Sequence, residues 1–193
     1  MRRVVVTGLG ALTPIGNSIS AYLAGLQAGR SGAAAITHFD AARFKPQFAC
    51  EVKDFDVKAE LGVKAARRQD PFTQYAMIVT RDLDRAGVSW AAGIGGFETL
   101  ESEIENFANG DGTPRFNPFM LPKLIADIAA GQISIEYGFR GINYATVSAC
   151  ASSTHSLCNC FDYIRWGRAD VMIAGGAEAA ITKAGIGGFN AMK

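Results

Sequence analysis

The chain has 193 residues, with 19 Lys and Arg against 18 Asp and Glu and a formal charge of +1. That balance excludes the basic excess of a nucleic-acid-wrapping protein. Hydrophobic residues make up 49% and charged residues 19%, a globular composition of a length that suits one ordinary domain rather than a disordered chain. Glycine supplies 22 of the 193 positions, above the usual ~7%, but the glycines cluster in short turns and exclude collagen-like or linker readings.

In chain order, residues 3–7 (Arg3-Val4-Val5-Val6-Thr7) read as a short buried strand, ended by a tight turn at Gly8-Leu9-Gly10. Two arginines before an apolar run superficially resemble a signal peptide. The β-branched valines, the helix breakers Gly8, Gly10 and Pro14, and the lack of an A-x-A site argue against one. Asn17 or Ser18 can cap a helix that carries Ile19, Tyr22, Leu23 and Leu26 on one face, with Gly29 as its stop. Residues 31–56 lack period and read as loop with short strand pieces. Residues 64–80 look helical. Residues 88–92 form a strand running into Gly93-Ile94-Gly95-Gly96, and residues 98–109 are helical again.

A loop follows from Asn109 to Pro114, then a helix over 121–130 with Leu124, Ile125 and Ile128 on one face. Residues 144–149 read as a strand, 152–166 as a helix and 170–174 as a buried strand. The alternation predicts a parallel or mixed α/β sheet in one undivided unit. The hexapeptide Ala92-Gly93-Ile94-Gly95-Gly96-Phe97 recurs at Ala184-Gly185-Ile186-Gly187-Gly188-Phe189, predicting two turns where backbone approaches something closely. No run approaches the ~18 apolar residues of a membrane span. Four cysteines in this length suit a reducing cytosol, and the Cys158–Cys160 pair lacks the partners of a zinc site.

Gly8-Leu9-Gly10 does not complete a dinucleotide fingerprint, because Thr13 stands where the third glycine is needed. The strongest chemical signal is Tyr144-Ala145-Thr146-Val147-Ser148-Ala149-Cys150-Ala151-Ser152-Ser153-Thr154-His155. A β-rich segment ends at a cysteine among small residues, and an amphipathic helix begins at once. Small neighbours permit the sharp strand-to-helix turn that exposes a nucleophile. A helix N-terminus stabilises a thiolate, and the same amides can hold an oxyanion. A buried structural thiol is the alternative. His155 lies about 500° around the following helix from Cys150, so it reads as a packing residue and not as a local base.

The run Val147-Ser148-Ala149-Cys150-Ala151-Ser152-Ser153 resembles the nucleophile motif of the β-ketoacyl-acyl-carrier-protein synthases, of the elongating synthase II type. The resemblance extends through residues 3–10, Thr13-Pro14-Ile15-Gly16-Asn17, Phe39-Asp40, Gly93-Ile94-Gly95-Gly96 and Pro118-Phe119, to the stretch from Ala169 through Gly175-Gly176-Ala177-Glu178. It implies the N-terminal, nucleophile-bearing half of a thiolase-like α/β/α/β/α fold over residues 1–193, with a mixed five-stranded sheet, helices on both faces, and the C-terminal half absent.

By that resemblance Cys150 would accept an acyl group from an acyl-carrier-protein thioester. Malonyl-carrier protein would then decarboxylate and its carbanion attack the acyl-cysteine, giving a 3-oxoacyl product without a cofactor. The family's two assisting histidines and lysine belong to the half expected to be absent, and His38 and His155 lie outside its histidine motifs. Ile94 matches the gate of the acyl pocket. Phe119 and Met120 match the loop with which a neighbouring subunit closes it. Lys64, Arg67 and Arg68, at i, i+3 and i+4 on one helical face, would meet the acidic carrier protein together with Arg115, although a solvated helix face is the plain alternative.

The resemblance further implies a cytoplasmic homodimer that uses neither nucleic acid nor membrane. Two departures from the family are expected to matter: the chain stops at Lys193, and it is shortened between Thr80 and Val88. A truncated, non-catalytic dimerisation and carrier-protein-binding module is therefore a second reading. A coenzyme A-dependent priming synthase or thiolase is a weaker third.

Overall fold

The computed structural model describes residues 2–79 and 87–192, so the expected shortening between Thr80 and Val88 lies almost wholly outside the described residues. Helix α1 spans Ile19–Gln27. Ser18 caps it by accepting from the Ala21 N–H at 3.2 Å, and Gly29, at φ +61°, ends it. Strands β1 (Ala34–Ala35) and β2 (Phe48–Ala49) pair antiparallel. Buried Glu51 ties down the start of the loop between them, accepting from the Thr37 N–H at 2.9 Å, the Thr37 hydroxyl at 2.6 Å and the His38 N–H at 3.2 Å.

A short helix α2 (Val57–Leu61) comes first, and the helix predicted over 64–80 is two pieces, α3 (Val63–Arg68) and α4 (Pro71–Val79). Gly62, at φ +81°, separates the first two. Pro71 separates the others, because a proline disfavours helical backbone in the residue before it and is itself at home in a first turn. Strand β3 (Gly87–Ala91) leads to α5 (Phe97–Ala108). The single helix predicted over 121–130 is divided into α6 (Met120–Leu124) and α7 (Ile128–Tyr137). Its break follows from the Leu124 carbonyl, which accepts from Gly96 N–H at 3.1 Å instead of continuing the helix.

Strand β4 is only Asn143–Tyr144, then a 3₁₀ turn at Ala149–Ala151 opens α8 (Ser152–Arg165). Strand β5 (Met172–Gly176) and α9 (Lys183–Ala191) complete the chain. The α/β class stands, but the five strands do not make one sheet. β1 and β2 form a separate pair, and the central sheet is three parallel strands in the order β4-β3-β5.

Residues 3–7 are not a buried strand. Val5 and Val6 are exposed, Val6 by 79%, and no ladder reaches them. β-Branched residues favour extended backbone, but a strand exists only where a neighbour takes its N–H and C=O groups. Here Arg2 alone is tied down, through its N–H to the Arg165 carbonyl and an ion pair with Asp170. Nor do Gly8 and Gly10 form a turn; the first turn is Thr13 to Gly16, closed by reciprocal backbone bonds of 3.0 and 3.2 Å.

Helices cover both faces of the central sheet. Val88, Trp90 and Ala92 join Phe72, Ala76 and Met77 of α4 and Ala129, Ala130 and Ile133 of α7 in one core. Ser89, which alternation turns to the other face, meets α8: its carbonyl accepts from the buried Ser156 hydroxyl at 2.5 Å. All five residues of β3 are buried, as suits a central parallel strand.

Asp70 is buried between α4 and α5. Its Oδ2 accepts from the Thr99 N–H at 3.1 Å and the Thr99 hydroxyl at 2.6 Å, while Oδ1 has no partner. Burial pushes its carboxyl above the usual carboxylate range; the Thr99 bonds and the Lys123 charge only oppose that rise. A raised carboxyl contributes stability that is complete below the unfolded value of about 4 and is lost as pH rises through its folded value. Asp70→Asn should therefore remove that component of the decline in melting temperature above pH ~4. An unchanged slope across pH 4 to 7 would show that Asp70 titrates as it does in the unfolded chain.

Candidate active site

The carboxyl ends of the three parallel strands converge, which is where open α/β sheets place ligands. From β4 the chain runs through residues 145–148 to Cys150. From β3 it enters the Gly93–Gly96 turn, and from β5 it reaches Glu178. A Cβ built on Gly93 would lie 2.9 Å from Glu178 Oε2 and 3.8 Å from Ala149 Cα, so the three strand ends abut. Gly176 lies so close under the first turn of α8 that a side chain there would collide with the Ser153 hydroxyl.

Cys150 is exposed within the 3₁₀ turn that opens α8. The residue before it, Ala149, has φ +50°, a left-handed conformation outside glycine's usual monopoly. Such a residue costs about 1–3 kcal/mol and persists only where its surroundings enforce it. Buried Ser152 does so: its hydroxyl donates to the Ala149 carbonyl at 2.7 Å and accepts from the Ser148 N–H at 2.8 Å. The Ser156 bond to β3 anchors the same helix one turn further on. The strand-to-helix turn predicted from the small residues is thus present, with its strain placed one residue before the thiol.

His155 is not a packing residue. It is exposed, and its Nδ1 lies 2.7 Å from the Ser148 hydroxyl. The contact joins residues seven apart in sequence, across the 3₁₀ turn that opens α8. Its recorded partner is that hydroxyl and not the Cys150 sulfur. Ser148, Ser152 and Glu178 therefore carry structural parts that sequence reasoning did not assign; the serine spacing around a positive-φ residue was the one local signal.

The other thiols differ in access. Cys50 and Cys158 are exposed, whereas Cys160, on the buried face of α8, is 4% exposed, its sulfur 3.8 Å from the Ile173 carbonyl. Burial pushes the Cys160 thiol up to about 11. In the folded protein at pH 8, iodoacetamide should label Cys150 and leave Cys160 untouched until denaturant is added, as peptide mass mapping would show. Labelling of Cys160 at the rate of Cys158 would contradict this packing. No group of metal-binding side chains occurs among the described residues, and no helix there is long and apolar enough to cross a membrane.

Ile94 projects from the glycine turn, 42% exposed. α6 closes on the same turn, since side chains at Gly95 or Gly96 would strike the Lys123 and Leu124 carbonyls. Phe119 and Met120 lie at the start of α6. Phe119, however, turns its ring toward α3: the Arg68 guanidinium sits 5.3 Å from the ring centroid. Lys64, Arg67, Arg68, Phe119 and Val63 line one cavity of about 450 Å³. The basic helical face is thus joined to the start of α6 at Phe119. Arg115 is instead held by Asp111, 3.4 Å away, with both side chains exposed.

The second hexapeptide is not a turn. Residues 184–189 lie inside α9, capped by the Thr182 hydroxyl, which accepts from the Gly185 N–H at 3.1 Å, and by Glu101, which accepts from the Lys183 and Ala184 N–H groups at 3.2 and 2.6 Å. Gly185 does make a close approach, to the Ala180 carbonyl. Gly187 has only a contact distance of 3.5 Å to Phe44 at the place of a Cβ.

The fold is an α/β protein that presents an exposed cysteine at a strained strand-to-helix turn, on the carboxyl edge of a parallel sheet. Residues 1–193 match the profile of the β-ketoacyl synthase N-terminal domain. The chain is 40% identical over 205 aligned residues to 3-oxoacyl-acyl-carrier-protein synthase 2 of Staphylococcus aureus (strain COL), covering 100% of this chain and 49% of that protein. The namesake protein of Coxiella burnetii is 39% identical over the same span. Among solved structures, the ishigamide ketosynthase/chain length factor superposes with a TM-score of 0.83 at 20% identity, over 97% of this chain and 55% of that one. A β-ketoacyl synthase from Burkholderia phymatum STM815 superposes at 0.79 and 22% identity, over 100% and 50%. The chain belongs to the β-ketoacyl synthase family, through its N-terminal domain. It spans about half the length of the curated relatives it matches.

Proposed function

We propose that this chain is the nucleophile-bearing half of a 3-oxoacyl-acyl-carrier-protein synthase. The observation that carries the reading is Cys150, exposed at the start of α8 where three strand ends meet. In the first half-reaction its thiolate attacks the thioester carbonyl of an acyl-carrier protein. The carbon–sulfur bond to the carrier breaks, the carrier thiol leaves, and an acyl-cysteine remains. The positive end of the α8 dipole is suited to the oxyanion formed on the way. In the second, the carbanion left by decarboxylation of a malonyl thioester attacks that acyl-cysteine and expels the Cys150 thiolate.

Ile94, Phe119 and Met120 are the residues proposed for the acyl wall, the last two toward the neighbouring subunit of a homodimer. Lys64, Arg67 and Arg68 are proposed to steer the acidic carrier, supported by the cavity they share with Phe119. Arg115 belongs to this set only by resemblance. A cytosolic location suits a carrier-dependent reaction and free thiols.

The test is mass spectrometry of the purified protein after incubation with a fatty-acyl carrier protein. The expected result is one acyl increment on the peptide containing Cys150. Acyl groups on Cys50 or Cys158, with none on Cys150, would sink the reading.

A further inference from the structure

The turn that carries Ile94 is held from outside its own segment. A single oxygen, Glu178 Oε2, accepts from both the Gly93 N–H at 2.7 Å and the Ile94 N–H at 2.8 Å. The β3–β5 ladder delivers that carboxylate. It continues one bond past β5, from the Ala177 N–H to the Ala91 carbonyl at 3.0 Å, and sets the next residue opposite the turn. On the other side, the Gly96 N–H donates to the Leu124 carbonyl at 3.1 Å. The Ile94 side chain is 42% exposed, so packing alone does not fix it. Its direction is set by its backbone, and two adjacent backbone donors end on one carboxylate. A charged acceptor makes such bonds roughly twice as strong as neutral ones.

We propose that Glu178 is a positioning residue for acyl-chain selection: by holding the Gly93 and Ile94 amides it keeps the Ile94 side chain across the acyl path beside Cys150. This rests on the reading of Ile94 as the acyl gate. Glu178 itself touches no reacting atom; it acts only through the turn. Releasing it should let Ile94 move aside and admit long chains, with the thiol's own reactivity unaffected.

The experiment compares wild type, Glu178→Ala, Glu178→Gln and Ile94→Ala by two readouts that need no carrier protein. The first is hydrogen exchange at the Gly93 and Ile94 amides. The second is the rate of Cys150 alkylation by N-dodecyl iodoacetamide relative to iodoacetamide. In Glu178→Ala both amides should exchange at least about tenfold faster. The long-to-short ratio should rise at least about fivefold, with the iodoacetamide rate within about twofold of wild type. Glu178→Gln, whose side-chain oxygen can still accept, should stay near wild type in both readouts. Ile94→Ala should raise the ratio alone, and adding Glu178→Ala to it should raise the ratio no further.

Unchanged exchange in Glu178→Ala overturns the clamp. Accelerated exchange with an unchanged ratio overturns the role in selection. A Glu178→Gln protein with the altered ratio of Glu178→Ala would show that the accepting oxygen is not what matters, and would overturn it too. If Glu178→Ala fails to fold, Glu178→Gln must still match wild type and Ile94→Ala must still raise the ratio, or the proposal falls. Failure of the synthase reading is seen separately, as Cys150 that takes the alkylating reagents but no acyl group from a carrier protein.

Discussion

Replacing Cys150 with serine should lower acyl transfer from carrier protein roughly a thousandfold or more, the scale on which removal of a covalent nucleophile acts. A serine hydroxyl at this position is a poor nucleophile without an adjacent base, and His155 Nδ1 meets the Ser148 hydroxyl rather than residue 150. The substitution keeps the turn, because the bonds that enforce it belong to Ser148, Ala149 and Ser152. Stability should therefore stay within about 1 kcal/mol of wild type. Cys158→Ser, within α8 and also exposed, should leave transfer unchanged. Comparable loss in both variants would mean that the acyl group does not reside on Cys150.

The second large effect is on folding. Phe72 of α4 is fully buried in the core shared with α7 and β3. Phe72→Ala leaves a cavity in that core and should cost about 3–5 kcal/mol, a large share of the roughly 5–15 kcal/mol that holds a domain together. Phe107 supplies the comparison: it is exposed on α5, its ring 5.4 Å from that of Phe116. Phe107→Ala forfeits a ring contact worth about 0.5–1.5 kcal/mol and opens no interior space. Urea melts of the two variants with similar midpoints would show that the core has been placed wrongly.

What could be read from the sequence follows the range of the forces involved. α1 was legible because its cap, Ser18, and its stop, Gly29, are local. α8 and β3 were legible because their apolar patterns are strong, and Cys150 because small residues flank it at a strand-to-helix boundary. Pro71 announced the break before α4, but helical period across 64–80 concealed it. The segment at Val4-Val5-Val6 has a strand's composition and no strand, since a ladder needs a neighbour that composition cannot supply. β4 shortened to two residues because the stretch beyond it is committed to the turn around Ala149, with the Ser148 N–H given to Ser152. The five-stranded sheet was implied by the resemblance, whereas among the described residues the strands divide into an antiparallel pair and a parallel sheet of three.

The site divides in the same way. The exposed turn around Cys150 could be read from residues adjacent to it in sequence, and the shared helical face of Lys64, Arg67 and Arg68 from spacing alone. Its junction with Phe119 could not, because that contact joins α3 to a loop some fifty residues later. Glu178 stood in a recognised motif without a role, since its partners lie 85 and 84 residues earlier.

The hexapeptide Ala-Gly-Ile-Gly-Gly-Phe is a glycine turn after β3 and a stretch of helix in α9. Six identical residues therefore carry no shape of their own; Glu178 and Leu124 decide one case, Thr182 and Glu101 the other. For protein engineering this means that the shape of the Ile94 turn cannot be moved between relatives by grafting the hexapeptide alone. A graft must bring the distant carboxylate with it, or the transplanted loop will relax into whatever its new neighbours favour.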